Sequence, residues 1–176
     1  MNLSSNSITH YTKDFAILTK MLHGDIYGSY CKEILRYNGE IIPRIIPMIS
    51  FCDMPIKTYA NIGSPYGKFA ISLSKEWATD NKLTPVLYID KGSRLLDNLV
   101  TSMNNSLTTL HIDGQILKQN PKNVAISKNI NKSLEYLSYS LMYTKHYEDE
   151  LVREDYHNPN YRFYDEREWR YIPEFD

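Results

Sequence analysis

Glu166 and Glu168 lie near the C-terminus in the run Tyr164-Asp165-Glu166-Arg167-Glu168-Trp169-Arg170-Tyr171. In an extended chain, residues two apart point to the same side, so both carboxylates and Arg170 would share one face. Like carboxylates held together repel, and one pKa rises. A cation, an arginine partner or a catalytic task gives a fold a reason to keep them; an edge strand with cross-paired charges is the plainer alternative. His10-Tyr11-Thr12 forms a second patch. An imidazole and a hydroxyl two residues apart at a strand end can together grip a ribose or an amide. Equally, His10 can satisfy a core hydrogen bond while Thr12 caps the following helix. A third patch joins Ser50-Phe51-Cys52-Asp53-Met54-Pro55 to Tyr66-Gly67-Lys68-Phe69-Ala70-Ile71-Ser72. Aromatic walls with a few polar groups suit a flat ring such as nicotinamide. Gly67 lets backbone come close to a ligand. A buried strand followed by a turn accounts for the same residues. Cys52 has no basic cluster nearby in sequence to lower its pKa, so it is a poor nucleophile.

Other constellations are missing. The five histidines, at 10, 23, 111, 146 and 157, show no zinc-like spacing, and no metal is expected. The chain has no Walker phosphate loop, no Gly-x-Gly-x-x-Gly turn and no Gly-x-Ser-x-Gly elbow.

The elements that would position these patches alternate between strand and helix. Residues 7–12 read as a strand, and Thr12 as the cap of a helix whose apolar stripe is Phe15, Leu18 and Leu22. Asp14 in its first turn favours the positive helix end. After Gly24 and Gly28 a second helix is expected over 31–37. Residues 45–52, between Pro43 and Pro55, read as a buried strand. Residues 69–73 form another strand, entered through the turn Gly63-Ser64-Pro65-Tyr66-Gly67. Ser74 then caps a short helix. Residues 85–90 predict a third strand in this stretch, and 93–103 a helix with Leu95, Leu96, Leu99, Val100 and Met103 on its stripe. Residues 104–123 are polar and predict loops, 128–147 a long helix, 148–161 a loop and 162–173 a closing strand. This pattern predicts an α+β sheet core in one domain spanning residues 1–176.

Composition bounds the rest. With 176 residues and a hydrophobic share of 42%, the chain can bury a globular core. No apolar run spans a bilayer, and the N-terminus lacks a secretion signal, so a soluble cytoplasmic protein is expected. Cys31 and Cys52 are too few for a disulfide framework. Sixteen of the twenty Lys and Arg residues precede Glu148, against eleven of the twenty-one acids, so a body of +5 meets a tail of −6. A cationic body suits a dinucleotide or a nucleic acid, although the excess is small and dispersed. The fifteen tyrosines suit core and half-buried sheet positions.

Taken together, a His-x-Thr on the first strand, an aromatic-bearing second strand and a late Glu-x-Glu resemble the spaced elements of the ADP-ribosyltransferase superfamily, closest to its His-Tyr-Glu branch. The surrounding residues resemble the AbiGi family of abortive phage-resistance proteins. The shared motifs are His10-Tyr11-Thr12, Ser50 through Pro55, Tyr66-Gly67, Ile71-Ser72-Leu73-Ser74-Lys75-Glu76-Trp77, Pro85-Val86-Leu87-Tyr88-Ile89 and the closing Glu166-x-Glu168-Trp169-Arg170. The resemblance covers most of the chain and is strongest over 8–90 and 163–172. It implies an ADP-ribosyltransferase-like split mixed sheet and a transferase that moves ADP-ribose from NAD to a nucleic acid or protein acceptor. It implies Glu168 as the catalytic carboxylate beside an oxocarbenium-like ribose, and Glu166 as the group that orients or deprotonates the acceptor. His10, Tyr11, Thr12, Ser50 and Gly67 would belong to the NAD site, with His10 and Thr12 holding a ribose or the amide. Tyr66 or Phe51 would stack on nicotinamide. Arg44 is suggested for the pyrophosphate by charge and position alone. No second tyrosine or Arg-Ser-Thr element completes the family pattern. Members of the AbiGi family have also been labelled antitoxins. The alternatives are therefore a non-catalytic module on the same fold that binds a cognate toxin or antitoxin protein, and a plain nucleic-acid binder.

Overall fold

Asn38-Gly39 places two consecutive residues at positive φ, 49° and 81°, and so folds the chain into a tight hairpin. Its arms are β2 (Ser29–Tyr37) and β3 (Glu40–Cys52), paired without slippage from Ser29↔Met48 to Tyr37↔Glu40. The structure is a computed structural model, and it describes residues 4–24, 26–55, 65–116, 121–154 and 156–174; side chains of 112–123 lie outside the description. Gly63 and Ser64 of the expected turn also fall outside the described residues.

The other elements are β1 (Ser7–Thr12), α1 (Phe15–Leu22), β4 (Phe69–Ser74), α2 (Lys75–Asp80), β5 (Thr84–Pro85), β6 (Leu87–Ile89), α3 (Arg94–Ile116), α4 (Pro121–Met142), β7 (Thr144–His146), β8 (Asp149–Arg153), β9 (Tyr156–Tyr161) and β10 (Glu168–Tyr171). The main sheet runs β4-β1-β3-β10-β5 with every neighbour antiparallel, and β2 pairs with the remainder of β3. β6 and β7 pair in parallel, and β8 and β9 form a hairpin. The fold class is thus mixed α+β, as expected.

Three apolar clusters hold these layers. Ile8, Phe51, Ala78 and Leu83 pack α2 on the sheet, with Trp77 and Trp169 against them. Leu35, Ile89, Leu96 and Val100 seat α3, and Ile46, Met48 and Ile172 seat α4. Among the described residues no helix is long and apolar enough to cross a membrane.

Several local expectations need correction. Residues 31–37 form a strand, because Cys31, Glu33, Leu35 and Tyr37 alternate inward and the Asn-Gly turn supplies a partner. β3 extends back through Pro43 and Pro47, which are tolerated where β2 is its one partner strand. Asp14, not Thr12, caps α1 by accepting the Ala16 N–H at 2.7 Å; the Thr12 hydroxyl accepts from Asp14 N. The stripe of α1 is largely unburied: Phe15 is 63% and Leu22 66% exposed, and Met21 goes inward. Residues 104–116, expected as loop, continue α3, since no breaker precedes Gly114 and α3 packs against α4. α4 starts at Pro121 and ends at Met142, so Thr144–His146 leave the expected helix for β7. The expected 148–161 loop holds the β8–β9 hairpin, with Pro159 on β9.

Gly67 shows how tightly β4 is joined to β1. Its φ is +133°, and a Cβ there would lie 2.1 Å from the Thr12 carbonyl carbon. Backbone cannot yield to that overlap, and the φ is strained for any L side chain. Gly67→Ala should therefore lose about 2 kcal/mol or more, read as a lower urea midpoint.

Candidate functional site

A hollow of about 530 Å³ opens between α1, the end of β1, the β2–β3 hairpin and the start of β10. Strand pairing builds its floor: Thr9 and Glu168 both lie opposite Cys52, on the two sides of β3. His10, Tyr11, Thr12, Ser50, Tyr66, Glu166 and Glu168 all line it. Arg44, Phe51 and Gly67 stay outside its wall.

Each group's surroundings define what it can do. His10 donates Nδ1–H to the Ser50 carbonyl at 2.6 Å and sets its ring edge against Phe51. Burial pulls its pKa below 6.5, outweighing that hydrogen bond, so the imidazole is neutral. Burial, with Cys52 adding to it, pushes the Tyr11 hydroxyl up to about 12. Phe51 is 1% exposed and packs in the core against Trp77, out of stacking reach of a ligand in the hollow. Burial raises the Cys52 thiol far above its ordinary value, and Glu166 and Glu168 add to this, so it stays an un-ionised core group.

The two glutamates share a cation, by a route different from the one expected. Phe163–Glu166 is a 3-10 turn, Arg167 takes a left-handed φ of 45°, and only then does β10 begin. The expected strand over 162–173 is thereby split, and the alternation of an extended chain does not relate Glu166 to Glu168. Lys145 joins them instead: its Nζ is 3.0 Å from Glu166 Oε2 and 2.8 Å from Glu168 Oε2. Tyr66 donates its hydroxyl to the other Glu166 oxygen at 2.5 Å. Arg170, two residues along the true strand from Glu168, donates Nε to Glu168 Oε1 at 2.7 Å and Nη2 to Oε2 at 3.2 Å. Its remaining hydrogens reach Glu33 and the Met142 carbonyl.

Arg44 completes the network. Its guanidinium donates to Glu33, to the carbonyls of Leu141 and Thr144, and to the Thr144 hydroxyl, tying β3 to the α4–β7 corner. The buried set is therefore Glu33, Glu166 and Glu168 against Arg44, Lys145 and Arg170, three charges of each sign. Burial raises the Glu168 carboxyl, but Lys145 and Arg170 overcome this and hold it down at about 2. Burial likewise opposes charge on Lys145, yet Glu166 and Glu168 keep it above the usual lysine value. Among the described residues no cluster of His, Cys, Asp and Glu could hold a metal ion.

Glu33, Lys145 and Arg153 escaped the sequence reading. Glu33 sat in a mistaken helix, and Lys145 in the extrapolated end of another. Alternation over Cys31–Tyr37 together with Asn38-Gly39 was the signal that could have turned Glu33 inward. Nothing local to Thr144-Lys145-His146 marks its lysine.

A family model described as "Putative abortive phage resistance protein AbiGi, antitoxin" matches residues 24–176. A curated relative from Lactococcus lactis subsp. cremoris, "Abortive phage resistance protein AbiGi", is 29% identical over 154 residues, or 82% of this chain. The chain spans 57% of that relative's length. No solved structure matches. The family's description is that of an antitoxin and not of an enzyme, and it overturns the expected NAD-dependent ADP-ribosyltransferase activity in favour of the antitoxin alternative.

Proposed function

We propose, from the premise that this chain belongs to the AbiGi abortive phage resistance family, that it is a non-catalytic antitoxin that acts by binding a cognate toxin protein. One observation carries this reading: both oxygens of Glu168 are already taken by Arg170 and Lys145 of the same chain. A carboxylate meant to stabilise developing positive charge on a substrate must present negative potential to it, and two cations of the same chain at 2.7–2.8 Å already neutralise this one. Here three acids and three bases neutralise each other, with Glu33, Lys145, Glu166 and Glu168 in the wall of the hollow and Arg44 and Arg170 behind it. The layout, with His10 and Glu168 lining one hollow, supports an ADP-ribosyltransferase-like sheet retained for binding within a single domain. The module acts in the cytoplasm, with Cys31 and Cys52 as free thiols.

Depletion of the chain from its native host tests this. Growth should arrest, suppressor mutations should map to the toxin, and purified toxin and chain should form a stable complex. The chain incubated with labelled NAD should release no nicotinamide. Undisturbed growth on depletion, or a suppressor-defined toxin that makes no complex with the chain, contradicts the proposal.

A further inference from the structure

The charge balance within the wall of the hollow leaves further cations at its mouth without a balancing acid. Lys20 on α1, Lys32 on β2 and Arg153 on β8 all line the same hollow, and every acid that lines it is paired with a buried base. Among the described residues Lys20 and Lys32 make no salt bridge, and both are exposed. Arg153 lies over the Tyr66 ring, 5.7 Å from its centroid. The mouth also exposes apolar surface: Ile17 is 43% and Tyr27 74% exposed, and both line the hollow. An aromatic and aliphatic collar with cations around a concave centre is the anatomy of a protein-docking hot spot, in which a partner seals the mouth and places its anchor inside.

We propose that this hollow is the toxin-docking site, and that it receives an acidic segment of the partner, whose carboxylates meet Lys20 and Lys32 while its apolar side chains cover Ile17 and Tyr27. This rests on the antitoxin reading given above. A volume of about 530 Å³ admits a few side chains of an extended segment and not a nucleic-acid duplex. The cations share the hollow with the exposed aliphatic side chain of Ile17, which an apolar peptide side chain can cover and a phosphate backbone cannot, and this favours a peptide over a single strand.

The test uses fluorescence anisotropy with a labelled short peptide alternating glutamate and tyrosine, its glutamine counterpart, and a labelled oligouridylate of equal charge. Wild-type protein should bind the acidic peptide, with affinity falling as salt rises, and bind the other two far more weakly. The exposed Lys20→Glu/Lys32→Glu variant, with unchanged circular dichroism and melting, should bind the peptide roughly tenfold or more weakly. It should weaken the complex with the suppressor-defined toxin to the same degree. Equal peptide binding by the variant, absence of peptide binding, or tighter binding of the oligouridylate overturns the docking site. A toxin complex that forms with wild type and persists unchanged in the variant sinks this inference alone; failure of wild type to form it sinks the antitoxin reading itself.

Discussion

Arg170→Met is expected to lower folding stability by about 3–5 kcal/mol, a large part of the 5–15 kcal/mol that holds a typical domain together. Arg170 is fully buried and joins Glu168, Glu33 and the Met142 carbonyl, so one side chain links β10, β2 and the end of α4. Methionine fills similar space but leaves two carboxylates without their shared cation, and an uncompensated buried charge is what makes such changes severe. The loss should be non-additive. In Arg170→Met/Glu168→Gln one positive and one negative charge leave together, so the double variant should be more stable than the sum of the single changes predicts, by 1 kcal/mol or more. Urea unfolding of wild type and the three variants measures this cycle. An Arg170→Met protein within about 1 kcal/mol of wild type would show that the network is not holding these elements together.

Acid should undo the same network from the other side. The ordinary glutamate value is 4.5, and Lys145 and Arg170 bring Glu168 down to about 2 in the fold despite burial. The folded state thus favours the ionised form. Its stabilising effect is complete above about 4.5 and is lost as pH falls toward 2. At about 1.4 kcal/mol per unit of pKa, Glu168 accounts for about 3 kcal/mol across that window. Glu168→Gln should be less stable than wild type at neutral pH, with the gap closing as pH falls. Unfolding curves collected between pH 7 and 2 check this, and a constant gap would contradict the assigned ion pairs. His10 acts in a separate window: its lowered pKa means that folding is favoured above about 6.5 and weakens as pH falls below it.

The strands around the hollow were largely legible because their signals are local. Residues 69–73 alternate in a short run, residues 7–12 end at the start of a helix, and Ser74 caps α2 by accepting the Trp77 N–H as its position suggested. Ser93 likewise accepts the Leu96 N–H at the start of α3. The polar stretch after Met103 misled, because Met103, Ser106 and Leu110 continue the half-buried face of α3 at helical spacing with a serine in the middle of it. Residues 31–37 misled for the opposite reason: the charges of Lys32, Glu33 and Arg36 looked like helical surface, although Asn38-Gly39 announced a hairpin. Site chemistry was less legible still. That Glu166 and Glu168 come together was anticipated, but the cause is a lysine on β7 about twenty residues upstream, and the left-handed Arg167 breaks the alternation that was invoked. Arg44 suited an anion by charge, and only the fold shows it committed to Glu33 and the α4–β7 corner. Pairings between distant segments leave no mark in either segment alone.

One titration bears most directly on non-catalytic toxin binding. With a fixed amount of toxin and increasing amounts of this chain, toxin activity should fall linearly and vanish at equimolar protein, independent of incubation time and unaffected by added NAD. Neutralisation by a small fraction of an equivalent, growing with time or requiring NAD, would mean that the chain turns over, and the binding account would be wrong.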